Sequence, residues 1–222
     1  WDLQTGQLRL ILRPPIGQGD VGRLYGVAIH PSLPMVALGG NSIPGGAQQK
    51  IYLFNLTSGQ LTQAIDAGAG EIKRLAWSRD GAVLFAGYAD WNGLRGFDSG
   101  GKLVYEQATA GSVYGISVGS RDRVAATDFS GKVHLVRVSG ATVEKLATFS
   151  VQARNPISVS FAPDEGALVV GYRYHDIGPD VIETSTGRVI RRLSPSGALE
   201  GNFGTVTWSL DGKTIAVGGT AS

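Results

Sequence analysis

Lys73-Arg-Leu-Ala-Trp-Ser-Arg-Asp-Gly-Ala-Val-Leu-Phe-Ala-Gly87 is the stretch on which the fold turns. Leu75 and Trp77 alternate with Arg74 and Ala76, the period of two that sends side chains to opposite faces of a strand. Ser78 to Gly81 is a tight-turn signal, because Asp and Gly accept the backbone angles that a reversal needs. Val83 to Gly87 is a short apolar run, as expected for a second strand buried on both faces. The stretch is a hairpin, and it recurs. Tyr25 to Ile29 with Met35 to Gly39, Tyr114 to Val118 with Arg123 to Thr127, Ile157 to Phe161 with Leu168 to Gly171, and Thr205 to Trp208 with Ile215 to Gly218 share its pattern. The last large residue of each first strand falls at 29, 77, 118, 161 and 208, a repeat of about 45 residues.

A second anchor lies between the hairpins: Trp1-Asp-Leu-Gln-Thr-Gly6, Phe54-Asn-Leu-Thr-Ser-Gly59, Phe97-Asp-Ser-Gly-Gly101, Val136-Arg-Val-Ser-Gly140 and Ile182-Glu-Thr-Ser-Thr-Gly187. Each is a strand end, a turn and the start of another strand, so every repeat holds four strands, a to d. The reading gives a half unit at 1–13, with Leu8 to Leu12 as its strand d. Whole units follow at about 23–66, 71–108, 112–150 and 156–194, and a second half at 204–219. Helical periodicity is absent, and the class is all-β. Strand a carries large residues on one face (Val27 and Ile29, Leu75 and Trp77, Val159 and Phe161) and small ones on the other (Gly26 and Ala28, Gly115 and Ser117, Ser158 and Ser160). A large face meeting a small one lets successive sheets stack without voids. Arg74 interrupts the small column.

Composition agrees. Of 222 residues 33 are Gly, about twice the usual ~7%, which suits many reversals. Apolar residues at 42% can fill a core, and no apolar run approaches the ~18 residues of a membrane helix. A net charge of +2 without a basic block argues against a dedicated nucleic-acid or membrane surface. The absence of Cys excludes disulfides, thiolate metal sites and thiol nucleophiles but leaves the compartment open, cytoplasm or periplasm. Trp1 follows neither an initiator Met nor a signal-peptide profile, so the expectation is a stretch of something longer.

These residues resemble the WD-repeat β-propellers: the repeat length, the Trp-Ser-x-Asp-Gly turns at Trp77 to Gly81 and Trp208 to Gly212, and the strand-end pairs Trp1-Asp2 and Phe97-Asp98. Leu10-Ile-Leu-Arg-Pro-Pro-Ile-Gly17 with Leu24-Tyr-Gly-Val-Ala is similar to bacterial WD-repeat modules joined to another domain, some of them caspase-like peptidases. The resemblance implies a propeller of four-stranded antiparallel blades, four whole and two half, that serves as a non-catalytic protein-interaction or sensing scaffold. It departs from the family in lacking the Gly-His dipeptide, so the Asp-His-Ser/Thr-Trp network is absent or degraded and stability rests on apolar stacking. The two halves imply either a fragment of a ring of about seven blades, which we favour, or closure into five.

Propeller function is expected on the face built by the d-to-a and b-to-c loops. Tyr172-Arg173-Tyr174-His175-Asp176 gathers contact-type residues in one b-to-c loop, and Tyr88 to Gly93 does so with Tyr88 and Trp91. The competing reading of both is a loop folded over its own blade. Arg23, Tyr25, Lys73, Arg74 and Tyr114 are expected to ring the channel mouth as a mildly basic, aromatic rim, suited to an acidic or phosphorylated peptide. Solvated rim charges are the alternative. No cofactor is expected. His30, His134 and His175 lack metal-ligand spacing, and no Gly-x-Ser-x-Gly elbow occurs. Asp128 is expected to close its hairpin, and Asn55-Leu-Thr57 reads as a turn rather than a glycosylation site. A propeller enzyme or small-ligand binder with an axial metal, and a periplasmic propeller of the TolB type, are the rival readings.

Overall fold

The computed structural model describes residues 1–151, 155–173, 178–194 and 201–221. Four antiparallel sheets follow one another along the chain, each with its strands in sequential order. Blade 1 is β1 (Leu24–Ile29), β2 (Met35–Gly40), β3 (Gln49–Asn55) and β4 (Leu61–Gly68). Blade 2 is β5 (Ile72–Trp77), β6 (Val83–Tyr88), β7 (Leu94–Asp98) and β8 (Leu103–Gln107). Blade 3 is β9 (Val113–Val118), β10 (Arg123–Asp128), β11 (Lys132–Ser139) and β12 (Thr142–Ser150). Blade 4 is β13 (Pro156–Phe161), β14 (Ala167–Tyr172), β15 (Asp180–Glu183) and β16 (Val189–Arg192), and β17 (Gly201–Trp208) pairs with β18 (Ile215–Ala221) as a half blade.

The first strands of successive blades lie side by side, β1 with β5, β5 with β9, β9 with β13 and β13 with β17. Their large and small faces interlock. A Cβ on Gly26 would stand 3.0 Å from Leu75 Cγ, so only glycine lets blade 2 approach blade 1 this closely. Further round, hydroxyls of the small column bond the next blade: Phe161 N–H donates to Ser117 Oγ (3.1 Å), Val206 N–H to Ser158 Oγ (3.2 Å) and Trp208 N–H to Ser160 Oγ (3.2 Å). Strand b lies behind strand a. All six residues of β6 are buried, whereas all four of β16, an outermost strand, are exposed.

The turns behave as their residues dictate. In both Trp-Ser-x-Asp-Gly turns the Ser hydroxyl donates to the Asp carboxylate (2.6 Å) and accepts the N–H five residues on (3.0 Å). Gly81 and Gly212 take the left-handed angles, φ 74° and 70°. Asn55 Oδ1 accepts from Thr57 N (2.8 Å) and Ser58 N (2.9 Å), which makes it a turn residue. Asp128 closes its hairpin through Ser130 N (2.8 Å) and accepts from the His134 ring at 2.6 Å. The Trp77 and Trp208 indole N–H groups are buried without a partner among the described residues.

The N-terminal half unit differs from expectation. Asp2 Oδ1 does accept from Gln4 N and Thr5 N, as Asn55 does in its own turn, but residues 8–12 form no strand. They run over the outer part of blade 1 instead. Leu12 packs on Val36, Leu38, Tyr52 and Phe54, and Leu10 lies against Gly59. Burial of apolar side chains replaces the ladder here, and Pro14 and Pro15, which lack N–H donors, prevent its extension toward β1.

Candidate functional site

The d-to-a and b-to-c loops share one end of the molecule and are tied together by the same backbone bond in each blade. Asn41 N donates to Arg23 O (2.9 Å), Ala89 N to Glu71 O (2.9 Å), Phe129 N to Ser112 O (3.0 Å) and Arg173 N to Asn155 O (3.0 Å). Two residues after each of these acceptors, strand a carries a β-bulge, and the residue passed over by the ladder is Tyr25, Lys73, Tyr114 or Ile157. A bulge re-aims a side chain away from the sheet faces. The fold thus lines up one bulged residue per blade.

The three polar or aromatic members of this column meet. Lys73 Nζ stands 4.3 Å from the centroid of the Tyr25 ring and 5.9 Å from that of Tyr114. Tyr114 stacks on Phe129 at 4.5 Å and 20°. The result is a strip, Tyr25–Lys73–Tyr114–Phe129, spanning three blades. Lys73 is also ion-paired with Glu71, whose other contact is the Asn41 amide at 2.8 Å. With its charge matched and its ammonium over two rings, an arrangement worth about 1 kcal/mol per ring, Lys73 is a fixed part of the strip. Arg23 is exposed and pairs with Asp20 at 2.9 Å, and Arg74 is exposed without an ion pair among the described residues. The mouth is therefore more aromatic and less basic than its Lys and Arg content suggests.

Trp91 lies on the b-to-c loop of blade 2, at the same end of the molecule as the strip, with 71% of its surface exposed. Asp90 and Trp91 both have left-handed backbone, φ 55° and 66°. Each such residue costs about 1–2 kcal/mol, so the surroundings must impose the conformation. Asn92 Nδ2 donates to Ala89 O and Asp90 O (3.2 Å each), and Asp90 N donates to Ser112 Oγ (3.1 Å), which binds the loop to blade 3. Trp91 is a large aromatic side chain on a rigid support.

Two expected contact residues are not on this surface. Tyr88 and Tyr172 end strand b rather than begin the loop, and both rings are buried in cores between blades. Tyr88 donates to Ala67 O at 2.6 Å under the Arg95 guanidinium, and burial is the main cause of its pKa being pushed up to about 12. Tyr172 donates to the buried Asp180 carboxylate at 2.8 Å, which Arg192 also holds at 2.8 Å. Burial, then Asp180, drives the Tyr172 phenol upward. Arg173 is half-buried, and Tyr174 and His175 lie outside the described residues. Glu71 and Phe129 were not singled out from the sequence. Continuing the repeat alignment one residue before strand a and one beyond strand b would have found them.

Two of the histidines have structural partners. His30 Nδ1 accepts from Ser32 N and Leu33 N (3.2 and 3.0 Å), and its ring meets Trp77 edge-on at 4.8 Å. His134 lies between Asp128 and the Gln107 amide, which it meets at 2.5 Å.

No protein-family model and no curated protein sequence matches the chain. Among many solved chains that resemble it, one from Kuenenia stuttgartiensis hydrazine synthase gives a TM-score of 0.75 at 15% identity, covering 94% of this chain and 59% of that one. The fold is a β-propeller. At this identity the likeness concerns the path of the backbone alone. The propeller described here spans about 59% of the length of that neighbour.

Proposed function

We propose that this propeller is a non-catalytic interaction module of the WD-repeat type, presenting its loop face to a protein or peptide partner and regulating an effector domain joined to it, as in the bacterial modules it resembles. The observation that carries the reading is Trp91, exposed on a loop that holds two residues in left-handed backbone, at the same end of the molecule as an aromatic strip. The few residues that dominate binding energy at protein interfaces are enriched in Trp, Tyr and Arg, and a rigidly held one loses little entropy on docking. Because Glu71 matches the Lys73 charge, contact here depends on aromatic burial more than on an acidic partner. Affinity capture from a bacterial lysate tests it. Trp91→Ala combined with Tyr25→Ala should lose the specifically retained proteins, while the melting temperature falls by no more than about 4 °C, the loss of one ring contact to Lys73. Retention of the same proteins by the double variant would contradict the assignment.

A further inference from the structure

The loop that carries Trp91 also holds a reactive pair, Asn92-Gly93, the one place in the sequence where glycine follows asparagine. An asparagine amide is converted to an acid when the backbone nitrogen of the next residue, having lost its proton, attacks the side-chain carbonyl carbon. The attack needs an N–H free of other partners and a following residue whose side chain does not crowd the nitrogen, a condition glycine meets best.

The chain has five asparagines, and they differ on both counts. After Asn41, the Ser42 N–H is donated to Gln49 Oε1 at 2.6 Å. After Asn55, the Leu56 N–H is donated to Pro34 O at 2.7 Å. Asn155 precedes Pro156, which has no N–H, and Asn202 precedes the bulky Phe203. The Gly93 N–H has no acceptor among the described residues, and Asn92 is half-buried, within reach of water. The fold also fixes glycine at 93: its φ is 77°, and a Cβ there would overlap Gln107 O. A less reactive neighbour is therefore ruled out by the backbone itself.

The amide under attack is the one that closes the loop. Asn92 Nδ2 donates to Ala89 O and Asp90 O, at 3.2 Å each, around the left-handed Asp90 and Trp91. A carboxylate in its place has no proton to give and faces two carbonyl oxygens, so a tie becomes a repulsion.

We infer that Asn92 is a site of self-modification that unfastens the Trp91 loop. The Gly93 nitrogen bonds to Asn92 Cγ, the Cγ–Nδ2 bond breaks, and the nitrogen leaves as ammonia with the proton that Gly93 gave up through water. Water then opens the five-membered imide to aspartate or isoaspartate. Either product adds a negative charge, and isoaspartate lengthens the main chain by one carbon. With the tie gone, Asp90 and Trp91 relax from the left-handed backbone, and Trp91 loses its rigid support. Loss of partner binding on conversion rests on the reading of Trp91 proposed above; the chemistry at Asn92 does not.

Ageing the folded protein in mildly alkaline buffer, followed by peptide mapping by mass spectrometry, reads the conversion. Acid and isoaspartate should accumulate at Asn92 about ten-fold faster than at Asn41, Asn55 or Asn202. Hydrogen exchange of the converted protein should quicken about ten-fold in residues 88–92, where Tyr88 N–H is donated to Gly93 O and Asp90 N–H to Ser112 Oγ, while β9 to β12 exchange as in fresh protein. Asn92→Asp should reproduce that exchange pattern without ageing. Conversion at Asn92 no faster than at Asn41, or a converted loop that exchanges like the fresh one, would overturn the inference. Affinity capture by the converted protein separates the two readings: a loosened loop that still retains the same proteins would contradict the role of Trp91 and leave the modification site standing.

Discussion

Asp128 shows how one buried carboxylate joins turn geometry to pH dependence. Burial works to raise its pKa, but hydrogen bonds from the His134 ring and from Ser130 outweigh burial and hold it below the usual carboxylate value. Glu165 is similar. It is buried with φ 58°, and burial is outweighed by Arg123 Nε at 2.5 Å, Arg121 N–H and the Ser120 hydroxyl. A carboxylate depressed in the folded state contributes stability above its unfolded pKa, about 4, and that contribution disappears as pH falls through the lower folded value. Stability should therefore be flat from pH 7 to about 5 and fall below about 4. Asp128→Asn should be less stable at pH 7 and lose less than the parent between pH 5 and 3, as urea titrations at each pH would show. A parallel loss in both proteins would contradict the role given to Asp128. The left-handed glycines allow a finer comparison. Gly212 has only Pro163 nearby, 3.6 Å from an added Cβ, so Gly212→Ala should cost about 1 kcal/mol for φ alone. Gly81 lies directly over the His30 ring, and Gly81→Ala should cost more, about 2–3 kcal/mol by chemical denaturation.

At the scale of the strand, the hydroxyls between blades hold in place what apolar stacking brings together. Ser158 and Ser160 accept the Val206 and Trp208 N–H groups. Removing either acceptor leaves a covered donor unpaired, so Ser158→Ala or Ser160→Ala should cost about 1–2 kcal/mol. Ser158→Val, which adds bulk to a close-packed seam, should cost about 1–3 kcal/mol through overpacking. Hydrogen exchange should then quicken first in β17 and β18, because their contacts are the ones loosened. Uniform quickening over all blades would contradict a local seam. The strands themselves were legible in the sequence because each short element carries its alternation and its turn residues side by side, as Leu75 to Gly81 does. The b-to-c boundaries were legible only to within one residue, and one residue reverses the face of a side chain. Tyr88 and Tyr172 read as loop aromatics and proved to be strand ends turned into the core. The strip at the mouth was half legible. Tyr25, Lys73 and Tyr114 stood at one repeat position, but the bulge that re-aims them, the stacking of Tyr114 on Phe129 and the pairing of Lys73 with Glu71 follow from strand register and three-dimensional packing. The segment at 8–12 had the alternation of a strand and lacked a ladder to join.

For the whole molecule, the ordered blades gather the d-to-a and b-to-c loops at one end, and this loop face carries Trp91 and the aromatic strip. The opposite edge, where strands a and b turn, has its own exposed apolar side chain, Leu210, at 98%. Exposure alone therefore cannot mark the functional face. What sets Trp91 apart is a loop held by side-chain hydrogen bonds in left-handed backbone on the face that carries the aromatic strip, in contrast to a residue at the tip of an ordinary Ser-x-Asp-Gly turn. Site-specific photocrosslinking from position 91 and, in a separate protein, from position 210 compares the two faces in one experiment. A crosslinker at 91 should capture a discrete partner, Tyr25→Ala should diminish this capture, and a crosslinker at 210 should capture none of that partner. Equal capture from both positions, or capture from 210 alone, would contradict the assignment of Trp91 to the binding face.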